Sequence, residues 1–584
     1  MTVEVESLLE EIQTEPDGLG LLEELRAQFD GREMALSLTA DGVAAAEAVG
    51  APWLAAALRS LTLAYPGSPV ELVLRTSGTE PMAEGWEAVP ANAGSFFLGQ
   101  GGVGRLSVAG TDTGAAPVRR VLQMPRPELL TSEGDYAFIQ PTDPVRRAAG
   151  KLYSTLYRKT PLALDTWRQG RNSTPPGGRS PMVPKAQTMT SAGRTALLLA
   201  PESRRPAVWV AMHWLESGGA EAWGFRSAEI ARDAGYEVVI TADRSSPQRS
   251  LARALAITPH VYLGANALFN EDWEPFLLGI LQRHDIAQVH IHHSAKVYRF
   301  LPELRHRTRG VTVMDSTHLV EHRTGGFVRN SLEYSHLIDA HHVISPELRD
   351  LYLLDARVDP DKVAYRPLTD LASPATASVG EPLENDEVAA AAVTGARSDR
   401  RGDGPLRVGF LGRLAPQKRP FLYIELARRL HKAHPDQFSF LMQGSGALES
   451  IVAEQIARSG LGGVLTRREW GPAAEFFDDV DVLVVSSDNE GLTLTTIEAE
   501  EHGVLVLSAD VGSQRTVIAP GLLVPRRPRG FLITAQRALE RVATDPRAFA
   551  LARSQQRRLL RGLRSVEPAG QYLTTYYARK KEQA

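Results

Sequence analysis

The chain has 584 residues, too many for one hydrophobic core, so about two to four domains are expected. Its 65 basic and 69 acidic residues leave a net charge of −4, which gives no general attraction for nucleic acid or anionic lipid. Cysteine is absent, which excludes disulfide staples, thiol catalysis and cysteine-ligated metal, and agrees with a cytoplasmic protein. No run of about 18 apolar residues is available to span a membrane. Met1–Glu6 is acidic, without the apolar stretch of a signal peptide, so none is expected.

Residues 1–165 read as a small α+β accessory domain. Leu8, Leu9 and Ile12, then Leu21, Leu22, Leu25 and Phe29, fall at helical spacing, and strand-like runs follow at Val70–Leu74 and Val118–Leu122. Near its end, Pro144–Lys159 carries Arg146, Arg147, Lys151, Arg158 and Lys159 along an amphipathic pattern. Its plain reading is a helix packed on its own domain with its charges in water. Its sharper reading is a peripheral contact with the anionic inner face of a membrane. Residues 166–204 read as a linker, on the strength of Ser173-Thr174-Pro175-Pro176-Gly177-Gly178.

From 205 to 370 strand-like runs alternate with helical patterns: Val208–Met212, Val238–Thr241, Val261–Leu263, Val289–His292, Val311–Met314 and His342–Ser345. That rhythm predicts a parallel sheet covered on both faces. Residues 371–404 are rich in Ala, Gly, Asp and Glu without a period, and a flexible loop is expected. From 405 the rhythm resumes with Arg407–Leu411, Phe438–Met442, Val480–Val485 and Val504–Leu507. Helices are expected over 531–584, within a last domain spanning 405–584. Two such domains joined by a hinge enclose a cleft.

Ligands of open α/β sheets bind at the carboxyl edge of the strands, so residues just after strands matter most. Gly218-Gly219 follows the first strand of the middle domain and opens a helix, where backbone and anion can approach closely. Gly412-Arg413-Leu414, with Lys418, follows the first strand of the last domain. An Arg fork and a Lys point charge there suit a diphosphate. Gly444-Ser445-Gly446 makes a second turn on that edge. Past Val480–Val485 come Glu490, Gly491, Leu492 and Thr493, and eight residues after Glu490 comes Glu498, expected about two turns into a helix. His290, His292 and His293 invite a metal reading, but a strand alternates its faces, so no metal site is assigned.

Taken together, Gly218-Gly219-Ala220-Glu221, Gly412-Arg413-Leu414 with Lys418, Gly444-Ser445-Gly446 and the Glu490/Glu498 pair give residues 205–580 a resemblance to the GT-B glycosyltransferases of family GT4. The resemblance implies two Rossmann-like domains facing across a cleft, the acceptor domain at 205–370 and the donor domain at 405–584, with the α+β accessory domain added. It implies a nucleotide-diphosphate sugar as donor, transfer with retention, no catalytic metal or other cofactor, and a glycan, lipid-linked or other hydroxyl acceptor, as in cell-surface polysaccharide synthesis. By that resemblance Arg413 and Lys418 hold the diphosphate, Glu498 the ribose, and Glu490 faces the donor sugar beside the amides of Gly491, Leu492 and Thr493. Gly218 and Gly219 border the phosphates, as do Gly412 and Gly444. His318, just past a strand, matches the catalytic His of such families, and Glu321–Phe327 an acceptor-side loop.

The chain departs from the family at Leu492-Thr493, where Pro or Phe is common. It departs again at Val511-Gly512-Ser513, where a Gly-Gly turn is common, and in the hinge Val363–Leu368, which lacks Asn-Gly. These bear on the sugar used. A nucleotide-sugar epimerase of GT-B fold and a non-catalytic GT-B scaffold remain as alternatives.

Overall fold

The computed structural model of the protein describes residues 17–29, 32–76, 102–112, 114–125, 152, 155–173, 198–216, 218–321, 324–371, 404–446 and 448–583. The apolar runs form three sheets. The first comprises β1 (Met34–Leu38), β2 (Val70–Arg75), β3 (Gly102–Val108) and β4 (Val118–Gln123) in the order β1-β3-β2-β4. β3 runs antiparallel to β1 and β2, while β2 and β4 are parallel. Alternate burial along β2 leaves one face for helices, which is the expected α+β pattern.

The helix Ala51–Ala64 is buried on most sides because it also packs on the helix Trp273–Arg283 of the next domain. At that junction Arg120 pairs with Asp272 at 2.7 Å, both out of water, and the Tyr65 hydroxyl donates to the same carboxylate. The Leu263 amide donates to Ala56 O.

The second sheet holds β5 (Pro206–Met212), β6 (Glu237–Ala242), β7 (Val261–Tyr262), β8 (Asp285–His292), β9 (Thr312–Thr317), β10 (Ala340–Val343) and β11 (Val363–Tyr365), all parallel. Its order is β11-β10-β9-β8-β5-β6-β7. The third holds β12 (Leu406–Leu411), β13 (Phe438–Gln443), β14 (Leu465–Arg468), β15 (Val482–Val485), β16 (Leu505–Ala509) and β17 (Leu523–Val524), also parallel, in the order β14-β13-β12-β15-β16-β17. Counted from its own first strand, the second sheet reads 3-2-1-4-5-6-7 and the third 3-2-1-4-5-6, the doubly wound order. In each, the strand order reverses between the first and fourth strands, which opens a crevice at their carboxyl ends. That crevice lies between β5 and β8 in the middle domain and between β12 and β15 in the last.

Two expectations need correction. The linker expected over 166–204 begins as structure: Pro161–Ser173 is a helix, and it packs on the last domain, against the helix Pro420–Ala433. Tyr157 is buried edge-on to Phe421, Arg158 pairs with Glu454 at 2.8 Å, and Arg168 donates to Pro416 O at 2.5 Å. So the described part of the basic segment 144–159 is held by protein contacts; residues 144–151, 153 and 154 lie outside the described residues, as do 174–197 and 372–403. The last helix, Ala569–Gln583, expected with the donor domain, crosses back and packs on Gly219–Asp233 of the middle domain. Its apolar stripe carries Leu573 and Tyr577, both buried, and the Tyr577 hydroxyl meets His290 Nδ1 at 3.2 Å. No described helix is long and apolar enough to cross a membrane.

Candidate functional site

In the last domain the crevice is built from two loops stitched together. After β12 the chain turns at Gly412, with φ +151, and runs through Arg413 to Lys418. After β15 it runs from Ser486 to Thr493. Arg419 locks the two: its buried guanidinium donates to Ser486 O at 2.6 Å, Ser487 O at 3.2 Å and Arg526 O at 2.8 Å. The Asp488 amide donates to Gln417 O, and Gln417 Nε2 returns to Asn489 O at 2.7 Å. The clamp fixes where the next side chains point. Lys418 Nζ sits 2.5 Å from Glu490 Oε1, while Glu490 is nearly buried. Arg413 is half-buried, and among the described residues its guanidinium has no hydrogen-bond or ion-pair partner. Gly444 is packed on the Gly412 carbonyl, where an added Cβ would lie 2.0 Å from the oxygen.

The helix expected to carry Glu498 spans Leu494–Glu501, so Glu498 lies about one turn in, not two. The Glu490–Thr493 turn, with Thr493 still extended, consumes the missing residues. The carboxylate of Glu498 has no partner among the described residues, and burial, aided by Glu501, pushes its pKa up. The amides of Gly491, Leu492 and Thr493 also donate to nothing among them. These are orphan donors at a helix N-terminus, where the dipole favours an anion or an electron-rich oxygen.

The middle domain faces this edge with imidazoles. His213 follows β5, His293 follows β8 with φ +62, and His318 follows β9. The His293 ring lies 5.6 Å from His213 and 5.0 Å from His318, and stacks on Phe327 at 4.6 Å. Burial, reinforced by neighbouring imidazoles, drives the His318 pKa well below its usual value; the same causes bring His293 to about 3. Both rings are therefore neutral near pH 7. The Nε2 atom of His318 is buried without a hydrogen bond among the described residues.

Gly218 and Gly219 open the helix after β5, their own amides without intramolecular acceptors among the described residues. Below them Glu221 takes hydrogen bonds from Trp214 Nε1 at 2.5 Å and from His213 at 3.2 Å. Burial opposes its charge, but these donors outweigh burial and hold its pKa at about 2.

The two edges touch. Gly491 packs directly on the His318 carbonyl, Gly219 lies against Leu494, and Thr516 donates to Glu347 at 2.8 Å. The structure thus brings Glu490, Gly491, Leu492, Thr493, Lys418 and His318 to one place, with Gly218–Gly219 across from the 494–501 helix.

Residues 405–541 match the family described as glycosyl transferases group 1. The match lies within the last domain. Arg413, Lys418, Arg419, Gly444 and the segment 490–498 all fall inside the matched residues. A D-inositol 3-phosphate glycosyltransferase from Stackebrandtia nassauensis is 31% identical over 226 residues, 35% of this chain and 45% of that protein. A GDP-mannose-dependent alpha-mannosyltransferase from Mycobacterium tuberculosis is 32% identical over 132 residues, 21% of this chain and 31% of that protein. The matches thus span less than half the length of these relatives. Among solved structures, sucrose-phosphate synthase from Thermosynechococcus elongatus aligns over 65% of this chain and 99% of its own, at 19% identity and a TM-score of 0.46.

Sequence reasoning passed over Arg419, which anchors the two loops, and His213; it named His293 and Phe327 but did not bring them together with His213. His213 stands one residue past β5, at the crevice edge, and that position was the available signal. His290 and His292, weighed together with His293, point to one side of β8, with rings 4.1 Å apart, and His290 binds Ser316 Oγ at 2.9 Å. His293 leaves the strand and joins the cleft instead. Of the expected acceptor loop, His322 and Arg323 lie outside the described residues. Glu321, Thr324, Phe327, Arg329, Asn330 and Glu333 line a cavity of about 380 Å³.

Proposed function

We propose that this protein is a retaining, metal-independent glycosyltransferase that moves a sugar from a nucleotide-diphosphate sugar to a hydroxyl acceptor. The observation that carries the reading is the edge between β12 and β15: among the described residues Arg413 and Glu498 have no side-chain partner, three amides have no acceptor, and Lys418 is held by one carboxylate, all within residues that match a glycosyltransferase family.

In this reading the diphosphate lies over Gly412 and draws Lys418 away from Glu490. Arg413 and Lys418 then offset the charge that develops as the sugar–phosphate bond breaks. Glu490, released from Lys418, turns to the sugar hydroxyls with the amides of Gly491–Thr493. Glu498 accepts hydrogen bonds from the ribose. Positive charge builds at the anomeric carbon, as in glycoside hydrolysis. The Nε2 of neutral His318, which has no partner among the described residues, is placed to hydrogen-bond a sugar hydroxyl next to that carbon. The acceptor enters from the cavity beside Phe327 and Arg329, and closure of the two domains keeps water from the donor.

Thermal-shift screening with UDP-, GDP- and ADP-sugars, with and without EDTA, tests the reading. One nucleotide that raises the melting temperature regardless of EDTA is the expected result, because a ligand of the native state stabilises it. No shift with any of them rejects the donor site. Isomerised donor formed without an acceptor would instead identify an epimerase.

A further inference from the structure

At the opposite, amino-terminal edge of the seven-stranded sheet, three side chains from separate segments converge. Glu237 opens β6, His260 immediately precedes β7 and His284 immediately precedes β8. Their ligand atoms all lie within 4.8 Å of one another. We propose that Glu237, His260 and His284 form a binding site for a zinc-class divalent metal ion, separate from the cleft.

The donor set and its spacing carry the proposal. Two imidazoles and a carboxylate, with one position left to water, are a ligand combination that tetrahedral zinc accepts. At metal–ligand distances of about 2.0–2.2 Å the ligand atoms of such a site stand roughly 3.3 Å apart. The observed separations bracket that figure: His284 Nδ1 to Glu237 Oε1 is 2.5 Å and His260 Nε2 to Glu237 Oε2 is 3.8 Å. A small retreat of the Glu237 carboxylate makes room. Two donor atoms are also unused. Neither His260 Nε2 nor Glu237 Oε2 takes part in a hydrogen bond among the described residues.

The surroundings suit a metal ligand. His284 is buried, and its other nitrogen meets the Tyr262 hydroxyl at 3.0 Å, the outer contact that fixes a ligating imidazole's orientation and tautomer. Burial lowers the pKa of both histidines, so their lone pairs are not protonated near neutrality. Two cations stand by, and both are otherwise engaged: Arg283 with Glu202 at 2.9 Å, and Arg59 with Gln28 at 2.6 Å and Pro259 O at 3.1 Å. Their field weakens any cation site. Nitrogen ligands therefore matter, because they favour zinc and its transition-metal neighbours over magnesium or calcium. Arg59 belongs to the accessory domain, so a metal here would tie the starts of three strands together beside that domain's docking edge.

Full-length protein stripped with EDTA and dialysed is titrated with Co²⁺ alone, and separately with Zn²⁺ alone. The expected result is one equivalent of Co²⁺ with a tetrahedral visible band, and a rise in melting temperature with Zn²⁺. His260 is partly exposed, so His260→Gln is expected to fold, checked by circular dichroism. It should lose the band and the shift, and Glu237→Gln should weaken both. Tyr262→Phe should weaken Co²⁺ binding about tenfold. Absence of a band in the unaltered protein overturns the proposal. So does a band that persists unchanged in His260→Gln, because the ion then sits elsewhere, such as among the cleft imidazoles.

Discussion

Adding one methyl group at Gly491 tests whether the two domains meet in the working arrangement. The Cβ of an alanine there would fall 2.3 Å from the His318 carbonyl oxygen, against an ordinary contact of 3.4–4 Å, so at least about 1 Å of movement is required. In a rigid core such overpacking costs about 1–3 kcal/mol. Here the clash is between domains, and parting them relieves it. The cost therefore falls on the closed form alone and shifts the closed-to-open ratio by roughly 5–150-fold. Gly512→Ala is the control. Its Cβ would lie 1.7 Å from Glu490 O in the same domain, at φ +51, so opening the cleft relieves nothing. The left-handed backbone adds about 1–2 kcal/mol for a residue with a side chain.

The measurements are thermal unfolding and hydrogen exchange read by mass spectrometry. Gly512→Ala should lower the melting temperature by several degrees. Gly491→Ala should leave it nearly unchanged while speeding exchange in peptides that cover His318 and Gly491–Glu498. Equal losses of melting temperature in both variants, or unchanged exchange in Gly491→Ala, would refute an openable contact at this point.

Lys418→Ala and Arg413→Ala should each cut turnover by about 10²–10³-fold with the fold intact. Near-normal rates would remove the phosphate role. Glu498→Ala should mainly weaken nucleotide binding, and calorimetry with unchanged affinity would count against the ribose contact. Acid should unfold the protein early. Burial lowers the pKa of His290, His292, His293, His318 and His342, so the unfolded chain binds their protons first. Below about pH 6.5 each then costs about 1.4 kcal/mol per pH unit, down to its folded pKa. Five such groups exceed a typical folding stability within one to two units, so urea midpoints should collapse between pH 6.5 and 5; a flat profile would reject a neutral cluster.

Asp165 acts the other way. Burial raises its pKa from 3.8 to about 6 despite Arg168, so its contribution is present below about pH 4 and lost as pH rises through 6. Asp165→Asn should thus be neutral at pH 4 and stabilising by up to about 3 kcal/mol at pH 8, measured by urea unfolding. Destabilisation at pH 8 would show that the pair with Arg168 dominates.

Local sequence determined what local physics controls. Continuous apolar runs marked the buried parallel strands, because a strand covered on both faces has no polar side to reveal. Glycines after β5, β12 and β13 marked the turns of the carboxyl edges, and the charged residues beside them marked the crevice between β12 and β15. Counting residues past the strand placed Glu498 on the right helix but one turn too deep, because a turn's length is set by what it packs on.

What depends on distant partners was not legible. That Lys418 pairs with Glu490, that Arg419 locks two loops, and that His213, His293 and His318 gather at one edge all require strands far apart in sequence to lie side by side. The destinations of the helices 161–173 and 569–583 were hidden for the same reason. An amphipathic helix records that one face is buried but not which surface covers it, and only the assembled domains supply that surface.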